Sequence, residues 1–184
     1  METNDNLSTY LECLKRRFET SGLSHPNILL VTCIDLRYPG LIHEHMESAA
    51  DGYFHKRYDQ LSLAGAGLAG VVDFPPHPKP TWGGTFLEHV ALSAKMHDIK
   101  AVVVLEHRNC GAYKEFGLLR DGCSADEEER VHADQIGRLE RLLHAHFPNL
   151  ITDFFLLPQE SADDNSLKVH QFAAQAEKQS LRRD

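Results

Sequence analysis

The sequence predicts one α/β domain with a mostly parallel, four- to five-stranded sheet flanked by helices. Short apolar runs that suit strands buried on both faces alternate along the chain with segments of helical periodicity. A length of 184 residues, with 42% hydrophobic and 25% charged residues, fits one globular domain and excludes a disordered or repetitive chain. We therefore expect a single domain over 1–184, with an N-terminal helical arm over 1–25 and a polar tail over 160–184.

The N-terminal part contains one predicted helix and two predicted strands. An amphipathic helix is predicted over about residues 6–20, because apolar residues recur there at helical spacing. Those residues are Leu7, Tyr10, Leu11, Leu14 and Phe18. The run Ile-Leu-Leu-Val predicts a buried strand over about 27–32, and a weaker pattern predicts another over about 60–64.

The middle of the chain is predicted to form a loop, a helix and the clearest strand. Four prolines between Pro75 and Pro80 predict an irregular loop. Thr85 and Glu88 have the spacing of a capping box, which predicts that a helix begins there. The apolar run within 100–106 then predicts a strand that is buried on both faces.

The C-terminal part repeats the pattern of a helix followed by a strand. Ser124 and Glu127 form a second capping box, and Pro148 ends the helix that they open. A strand is predicted over 151–157. Because strands and helices alternate throughout, the strands are expected to run parallel.

Charge and hydropathy exclude several classes of protein. Lys and Arg total 19 against 27 Asp and Glu, so the net charge of −8 argues against a protein that neutralises nucleic-acid phosphates. No apolar run approaches the roughly 18–20 residues of a membrane span. The N-terminus lacks the basic start and apolar core of a secretory signal, so we expect a cytoplasmic protein.

Three chemically active side chains follow the first predicted strand. Cys33, Asp35 and Arg37 are spaced two residues apart, so on an extended segment they project to the same side. The guanidinium of Arg37 can hold the Asp35 carboxylate in place through paired hydrogen bonds. Taken alone, Cys33 could be a reactive thiol or a metal ligand, but a buried apolar role is the usual one for a single cysteine.

Two further ligand-type residues follow the strand predicted over 100–106. His107 and Cys110 lie three residues apart, which places them on one face if a helix begins there. The carboxyl ends of parallel strands meet at one edge of a sheet, so we expect both to lie near Cys33. Two cysteines and one histidine match the protein ligands of a catalytic zinc site that leaves a fourth position open.

The two motifs, Cys33-Ile-Asp-Leu-Arg37 and His107-Arg-Asn-Cys110-Gly, resemble the signature motifs of the β-class carbonic anhydrases. The resemblance covers roughly residues 27–157. It implies Zn²⁺ held by Cys33, His107 and Cys110, with Asp35 and Arg37 as a catalytic pair. The implied reaction is reversible hydration of carbon dioxide to bicarbonate by zinc-bound hydroxide. It also implies a homodimer or larger oligomer, in which the 6–20 helix could serve as the dimer arm.

The sequence departs from the family pattern at three places. Ala64-Gly65-Ala-Gly replaces the usual Arg-Asn-Ala-Gly, Glu106 replaces the glycine before the histidine, and Ser24 replaces a substrate-binding glutamine. Glu106 is expected to bring an extra carboxylate near the metal. Two alternatives remain open: hydrolysis of a sulfur analogue such as carbonyl sulfide or carbon disulfide, or a non-catalytic zinc protein in which Asp35 fills the fourth position.

Other motifs are interpreted as structural. Gly65-x-Gly67-x-x-Gly70 matches a dinucleotide fingerprint, but prolines follow where that motif needs a helix, so the glycines are expected to permit close packing. Histidine pairs two residues apart point in different directions on a helix and are not expected to bind metal. These pairs are His43 with His45, and His144 with His146. Cys13 and Cys123 have no ligand-type neighbours.

Overall fold

The core of the protein is a parallel sheet. The structure, a computed structural model, describes residues 5–72, 80–157 and 168–172. Four parallel strands lie in the order β3-β2-β4-β5, and two short strands extend this sheet beyond β5 in antiparallel pairing. The strands are β1 (Asp5–Asn6), β2 (Asn27–Cys33), β3 (Tyr58–Leu63), β4 (Ile99–His107), β5 (Ile151–Leu157) and β6 (Lys168–Gln171). The predicted mostly parallel sheet is confirmed, whereas β1 and β6 have no counterpart in the prediction.

Helices cover both faces of the sheet. They are α1 (Leu7–Thr20), α2 (Pro39–Gly52), α3 (Pro80–His97), α4 (Gly111–Glu115) and α5 (Ala125–His146). Helices α1 and α2 pack on one face, while α3, α4, α5 and a 3₁₀ helix over Ala66–Gly70 pack on the other. Each face of the sheet therefore has its own hydrophobic core, as expected for a parallel sheet with crossover helices.

The alternation of side chains along β4 divides these two cores. Val102 and Val104 belong to the core beneath α3 and α5, whereas Val103 and Leu105 belong to the core beneath α1 and α2. Successive residues of a strand point to opposite faces of the sheet. The side chains of Glu106 and His107, the last two residues of β4, therefore also lie on opposite faces. This alternation decides which residues reach the site at the end of β4.

Helix α1 packs on the sheet of its own chain. All five apolar residues that predicted this helix are buried. The hydroxyl of Tyr10 donates to Asp153 Oδ2 at 2.9 Å, and Arg17 pairs with the same carboxylate at 3.0 Å. The apolar face of α1, proposed from the sequence as a dimer arm, is thus already covered within one chain.

Two predictions for the helices need correction. Helix α3 begins at Pro80 rather than Thr85, since proline suits the first turn of a helix. Helix α2 was not predicted, although Ile42 and Met46 bury its inner face at helical spacing. The Ser124 cap of α5 is confirmed, because its side chain accepts a hydrogen bond from the Glu127 amide. Pro75 and most of the tail over 160–184 lie outside the described residues.

The order of the strands creates a crevice at one edge of the sheet. The chain passes from β2 through α2 to β3, and then through α3 to β4 on the other side of β2. Where neighbouring strands connect in opposite directions, an open α/β sheet forms a ligand-binding crevice at its carboxyl edge. The carboxyl ends of β2 and β4 lie at this point. Among the described helices, none is long and apolar enough to cross a membrane.

Candidate metal centre

Three ligand-type side chains meet at the crevice between β2 and β4. Cys33 is the last residue of β2, His107 is the last residue of β4, and Cys110 immediately precedes α4. One potential ligand atom from each residue lies within 4.8 Å of the other two. The predicted convergence of these residues is therefore present in the structure.

The distances within this group fit a metal ion better than a disulfide. The sulfur atoms of Cys33 and Cys110 lie 3.9 Å apart. A disulfide requires about 2.05 Å, whereas two sulfurs at about 2.3 Å from one tetrahedral zinc ion lie about 3.8 Å apart. Two thiolates and one imidazole are also a donor set that zinc prefers.

The orientation of His107 fits the same ion. Its Nδ1 lies 2.9 Å from the carbonyl oxygen of Arg108 and 3.2 Å from Nη2 of Arg37. We assign the proton to Nδ1 from the shorter contact, because a carbonyl oxygen can only accept a hydrogen bond. This tautomer leaves the lone pair on Nε2, and a backbone carbonyl is a common partner for the second nitrogen of a metal-ligating histidine. In the described part of the chain, Nε2 of His107 is buried without a hydrogen-bond partner. A cation between the sulfurs would satisfy it.

The pKa values of the two cysteine thiols are shifted in opposite directions. The hydrogen bond from Cys110 lowers the pKa of Cys33 to about 4, although burial opposes this shift. The same bond, together with burial, raises the pKa of Cys110. Burial by itself would lower the pKa of His107, but the neighbouring Cys33 thiolate raises it above its usual value. The Cys33 thiolate therefore places a negative charge in the group, which suits a cation.

Asp35 and Arg37 form a closed pair beside the three ligand residues. Arg37 donates from Nε to Oδ1 and from Nη2 to Oδ2, each at 2.9 Å, and its backbone amide donates to Oδ1 at 2.9 Å. These hydrogen bonds lower the pKa of Asp35 to about 2. Oδ2 of Asp35 lies 3.7 Å from Nε2 of His107, so the carboxylate borders the group while Arg37 restrains it.

Several contacts around the site could not be predicted from the sequence. The amide of Gly65 donates to the Cys33 sulfur at 3.4 Å, and Gly65 has a φ of 75°, which favours glycine. The ring of Tyr38 packs 5.1 Å from that of His107. These contacts join residues that are 32 and 69 positions apart, so no local sequence pattern predicts them. Only the glycine-rich segment after β3 indicated close packing there.

The positions that depart from the family pattern do not all border the site. Glu106 points to the opposite face of β4 from His107, where its contacts are Tyr113 and His132. Glu106 is therefore not part of the ligand group, because strand alternation turns its side chain to the other face of the sheet. Ser24 precedes the amino end of β2, at the opposite edge of the sheet from the site.

The glycine-rich segment packs tightly beneath α5. A Cβ on Gly67 would lie 2.7 Å from Leu139 Cδ2, and one on Gly70 would lie 2.8 Å from Leu139 Cδ1. The segment forms the 3₁₀ helix Ala66–Gly70 rather than the start of an α-helix. The glycines thus permit close approach between the crevice and α5.

The remaining cysteines and histidines are dispersed. Cys13 is exposed on α1, and Cys123 is half-buried outside the ligand group. His45 is buried on α2, where its Nδ1 lies 2.8 Å from the Ser8 hydroxyl, whereas His43 faces Tyr58 at the surface. Within the described residues, Cys33, His107 and Cys110 form the one cluster with metal-ligand geometry.

Fold and site together define an α/β protein with a Cys-His-Cys group that could hold a metal ion at the carboxyl edge of its sheet. No family model matches the chain. An uncharacterized protein of Rickettsia bellii is 29% identical over 160 residues, covering 87% of this chain and 92% of that protein. An uncharacterized protein of Rickettsia conorii is 30% identical over 135 residues, covering 73% of this chain and 69% of that protein. The chain belongs to the same family as this R. conorii protein.

Solved structures of β-carbonic anhydrases are similar to the chain at low sequence identity. The enzyme CafD of Aspergillus fumigatus is 9% identical with a TM-score of 0.49, over 80% of this chain and 90% of that chain. A structure reported among tetrameric β-carbonic anhydrases of Sordaria macrospora is 10% identical with a TM-score of 0.48, over 91% and 95% of the two chains.

Proposed function

We propose that the protein is a zinc-dependent carbonic anhydrase, which catalyses CO₂ + H₂O ⇌ HCO₃⁻ + H⁺. The observation that carries this proposal is the Cys33, His107 and Cys110 group with the Asp35–Arg37 pair at its border. These five residues also carry the sequence resemblance to the β class.

Cys33, His107 and Cys110 would hold the zinc ion. When bound at such an open site, zinc lowers the pKa of water from 15.7 to about 7 and so supplies a nucleophile at neutral pH. The Arg108 carbonyl would keep the His107 imidazole in the tautomer that ligates through Nε2. The Gly65 amide would stabilise the charge on the Cys33 sulfur.

Asp35 would orient the nucleophile. Because its pKa is lowered to about 2, the carboxylate is ionised at neutral pH and only accepts hydrogen bonds. At Oδ2 it can accept the hydrogen of the attacking oxygen and so turn the lone pair of that oxygen towards carbon dioxide. Arg37 would keep Asp35 from taking the open ligand position, since three of its N–H groups are bound to the carboxylate. The intact pair favours this function over a non-catalytic zinc protein.

We further propose a homodimer or larger oligomer. Leu36 is 94% exposed and Ile34 is 59% exposed, and both flank Asp35. A second copy that covers these side chains would also exclude water from the crevice and strengthen its electrostatics. The centre needs both thiols reduced, which supports a reducing compartment such as the cytoplasm.

The test is carbon dioxide hydration by stopped flow at pH 7–9, alongside metal analysis of protein purified without chelator. We expect one zinc per chain, a rate well above that of buffer, loss of the rate with a chelator and recovery with added zinc. A Cys13→Ala variant, altered at an exposed cysteine outside the ligand group, should match the parent. Zinc-loaded protein that hydrates no faster than buffer would refute the proposal, and turnover of carbonyl sulfide instead would favour the alternative substrate.

A further inference from the structure

A second buried polar cluster lies behind the metal centre. Glu106, Tyr113 and His132 come from β4, α4 and α5 and are 2%, 0% and 0% exposed. The Tyr113 hydroxyl donates to Glu106 Oε2 at 2.5 Å, and Nδ1 of His132 contacts the same oxygen. The rings of Tyr113 and His132 are also packed, with centroids 4.0 Å apart.

Tyr113 joins this cluster to a metal-ligand residue. Tyr113 lies in α4, which begins directly after Cys110, and the Cys110 carbonyl accepts the Lys114 amide of that helix at 3.4 Å. The Tyr113 carbonyl accepts hydrogen bonds from the amides of Leu118 at 2.9 Å and Leu119 at 3.1 Å. Tyr113 is therefore fixed at its hydroxyl and its carbonyl, within the helix that begins after Cys110.

Stability alone does not account for such a cluster. Apolar side chains of similar volume are often as stabilising as buried charged groups or more so, because burying a charge costs solvation. The cluster instead lies where it controls the position of α4 relative to β4, and these two elements carry Cys110 and His107.

We propose that Glu106, Tyr113 and His132 are positioning residues that hold the Cys110 sulfur in place for metal binding. The inference rests on the proposed zinc centre and extends it. The Glu106 carboxylate fixes the ring of Tyr113, and Tyr113 fixes the first turn of α4. That turn fixes the backbone of Cys110, which carries the sulfur. When a residue that holds a metal ligand in place is replaced, metal affinity typically falls by about 10–100-fold.

The test uses Co²⁺ as a spectroscopic probe in Tyr113→Phe, which removes one hydroxyl and keeps the ring. We expect Co²⁺ affinity, measured by chelator competition, to fall about 10–100-fold, with a weaker or shifted thiolate-to-cobalt charge-transfer band. Tyr58→Phe is the matched control, because the hydroxyl of Tyr58 bonds to His43 near the surface. This control should bind Co²⁺ as the parent does.

A second variant separates positioning from folding. Glu106→Gln is nearly isosteric and should weaken Co²⁺ binding in the same direction. Adding Tyr113→Phe to it should cause less loss than the sum of the two single changes, because both act on the same contact. If Tyr113→Phe does not fold, Glu106→Gln alone decides. Folded variants with parental Co²⁺ affinity and spectrum overturn the inference, even if their unfolding midpoints fall.

The two proposals can fail separately. A parent protein that binds Co²⁺ and Zn²⁺ but does not hydrate carbon dioxide contradicts the proposed function and leaves the positioning role standing. An active parent whose Tyr113→Phe variant keeps its Co²⁺ spectrum and affinity contradicts the positioning role alone. A parent that binds neither metal overturns both.

Discussion

The two segments that meet at the metal centre are held in opposite ways. The segment from Cys33 to Arg37 faces solvent, with Leu36 94% exposed. Its side-chain hydrogen bonds lie within the site itself, between Asp35 and Arg37 and from the Gly65 amide to Cys33. The segment from His107 to Cys110 is instead buried at both ends.

Helix α5 anchors this second segment. Arg108 donates to the Ala125 carbonyl at 2.8 Å and to Glu129 at 2.8 Å. Glu128 Oε1 accepts the Asn109 amide, and Asn109 has a φ of 57° that asparagine tolerates better than most residues. The backbone between the two ligand residues is thus fixed by a helix that supplies no ligand.

From this difference we infer different roles for the two segments. The anchored segment contributes two of three ligand-type residues, and its role is to keep them in place. The open segment contributes one ligand-type residue and the Asp35–Arg37 pair, and its role is chemistry at the crevice. Changes in the anchored segment should therefore alter metal content and stability, whereas changes in the Asp35–Arg37 pair of the open segment should alter turnover.

The largest effect is expected from Cys110→Ala. Removal of one of three protein ligands should reduce zinc content to near zero and abolish hydration, because a zinc site needs its full set of ligands. Metal analysis and stopped-flow assays on the same preparation measure both effects. Cys13→Ala, on the exposed side of α1, serves as the control. Stoichiometric zinc in Cys110→Ala would remove this residue from the centre.

Arg37→Ala should separate turnover from metal binding. Without the guanidinium, Asp35 is free to move into the open ligand position, so hydration should fall by about 100-fold or more while zinc stays bound. Arg37→Lys should restore little, because an ammonium group lacks the planar two-pronged geometry. The same two assays decide the outcome. Near-parental turnover in Arg37→Ala would show that the open segment does not orient the reaction.

The anchoring by α5 is tested by Glu128→Ala. This change removes the charged acceptor of the Asn109 amide and the ion pair of Glu128 with Arg108, and it should lower the free energy of unfolding by about 1–3 kcal/mol. Glu127→Ala is the matched control, since the neighbouring Glu127 pairs with Arg120 at an exposed site, where such pairs contribute about 0–1 kcal/mol. Urea denaturation of the metal-free proteins measures both. Equal losses in the two variants would mean that α5 does not anchor the ligand segment.

Local patterns were sufficient to predict the sheet and the convergence of the ligand-type residues. The apolar runs of β2 and β4 mark strands buried on both faces, and parallel strands bring their carboxyl ends together. Cys33, His107 and Cys110 directly follow or end these strands, so their proximity follows from topology alone. Metal binding by them stays a prediction.

The surroundings of the site could not be predicted in the same way. The contact of Glu128 with Asn109 spans 19 residues, and that of His132 with Glu106 spans 26. Such contacts depend on how α5 packs across the sheet, which no local spacing encodes. Glu106 shows the limit clearly, because its place beside His107 in sequence suggested proximity to the metal, whereas strand alternation separates the two side chains.

The smallest effect concerns the pH dependence of the Asp35–Arg37 contact. The pKa of Asp35 is about 2 in the folded protein, below the ordinary value of about 3.9 expected after unfolding. A lowered folded-state pKa stabilises the protein above the unfolded-state pKa, and this contribution is lost as pH falls through about 2. Because solvent screens this half-buried pair, the contribution should be about 0.5–1 kcal/mol.

Comparing the metal-free parent with Asp35→Asn tests this prediction. The difference in their free energies of unfolding should be constant from pH 7 to pH 5 and should shrink below about pH 4, because only the parent then gains a proton at this site on unfolding. Urea denaturation at pH 6, 4 and 3 measures the difference. A difference that disappears already above pH 5 would mean that Arg37 does not hold Asp35 ionised. The open segment would then need a partner to order its reactive pair, whereas the anchored segment needs only α5.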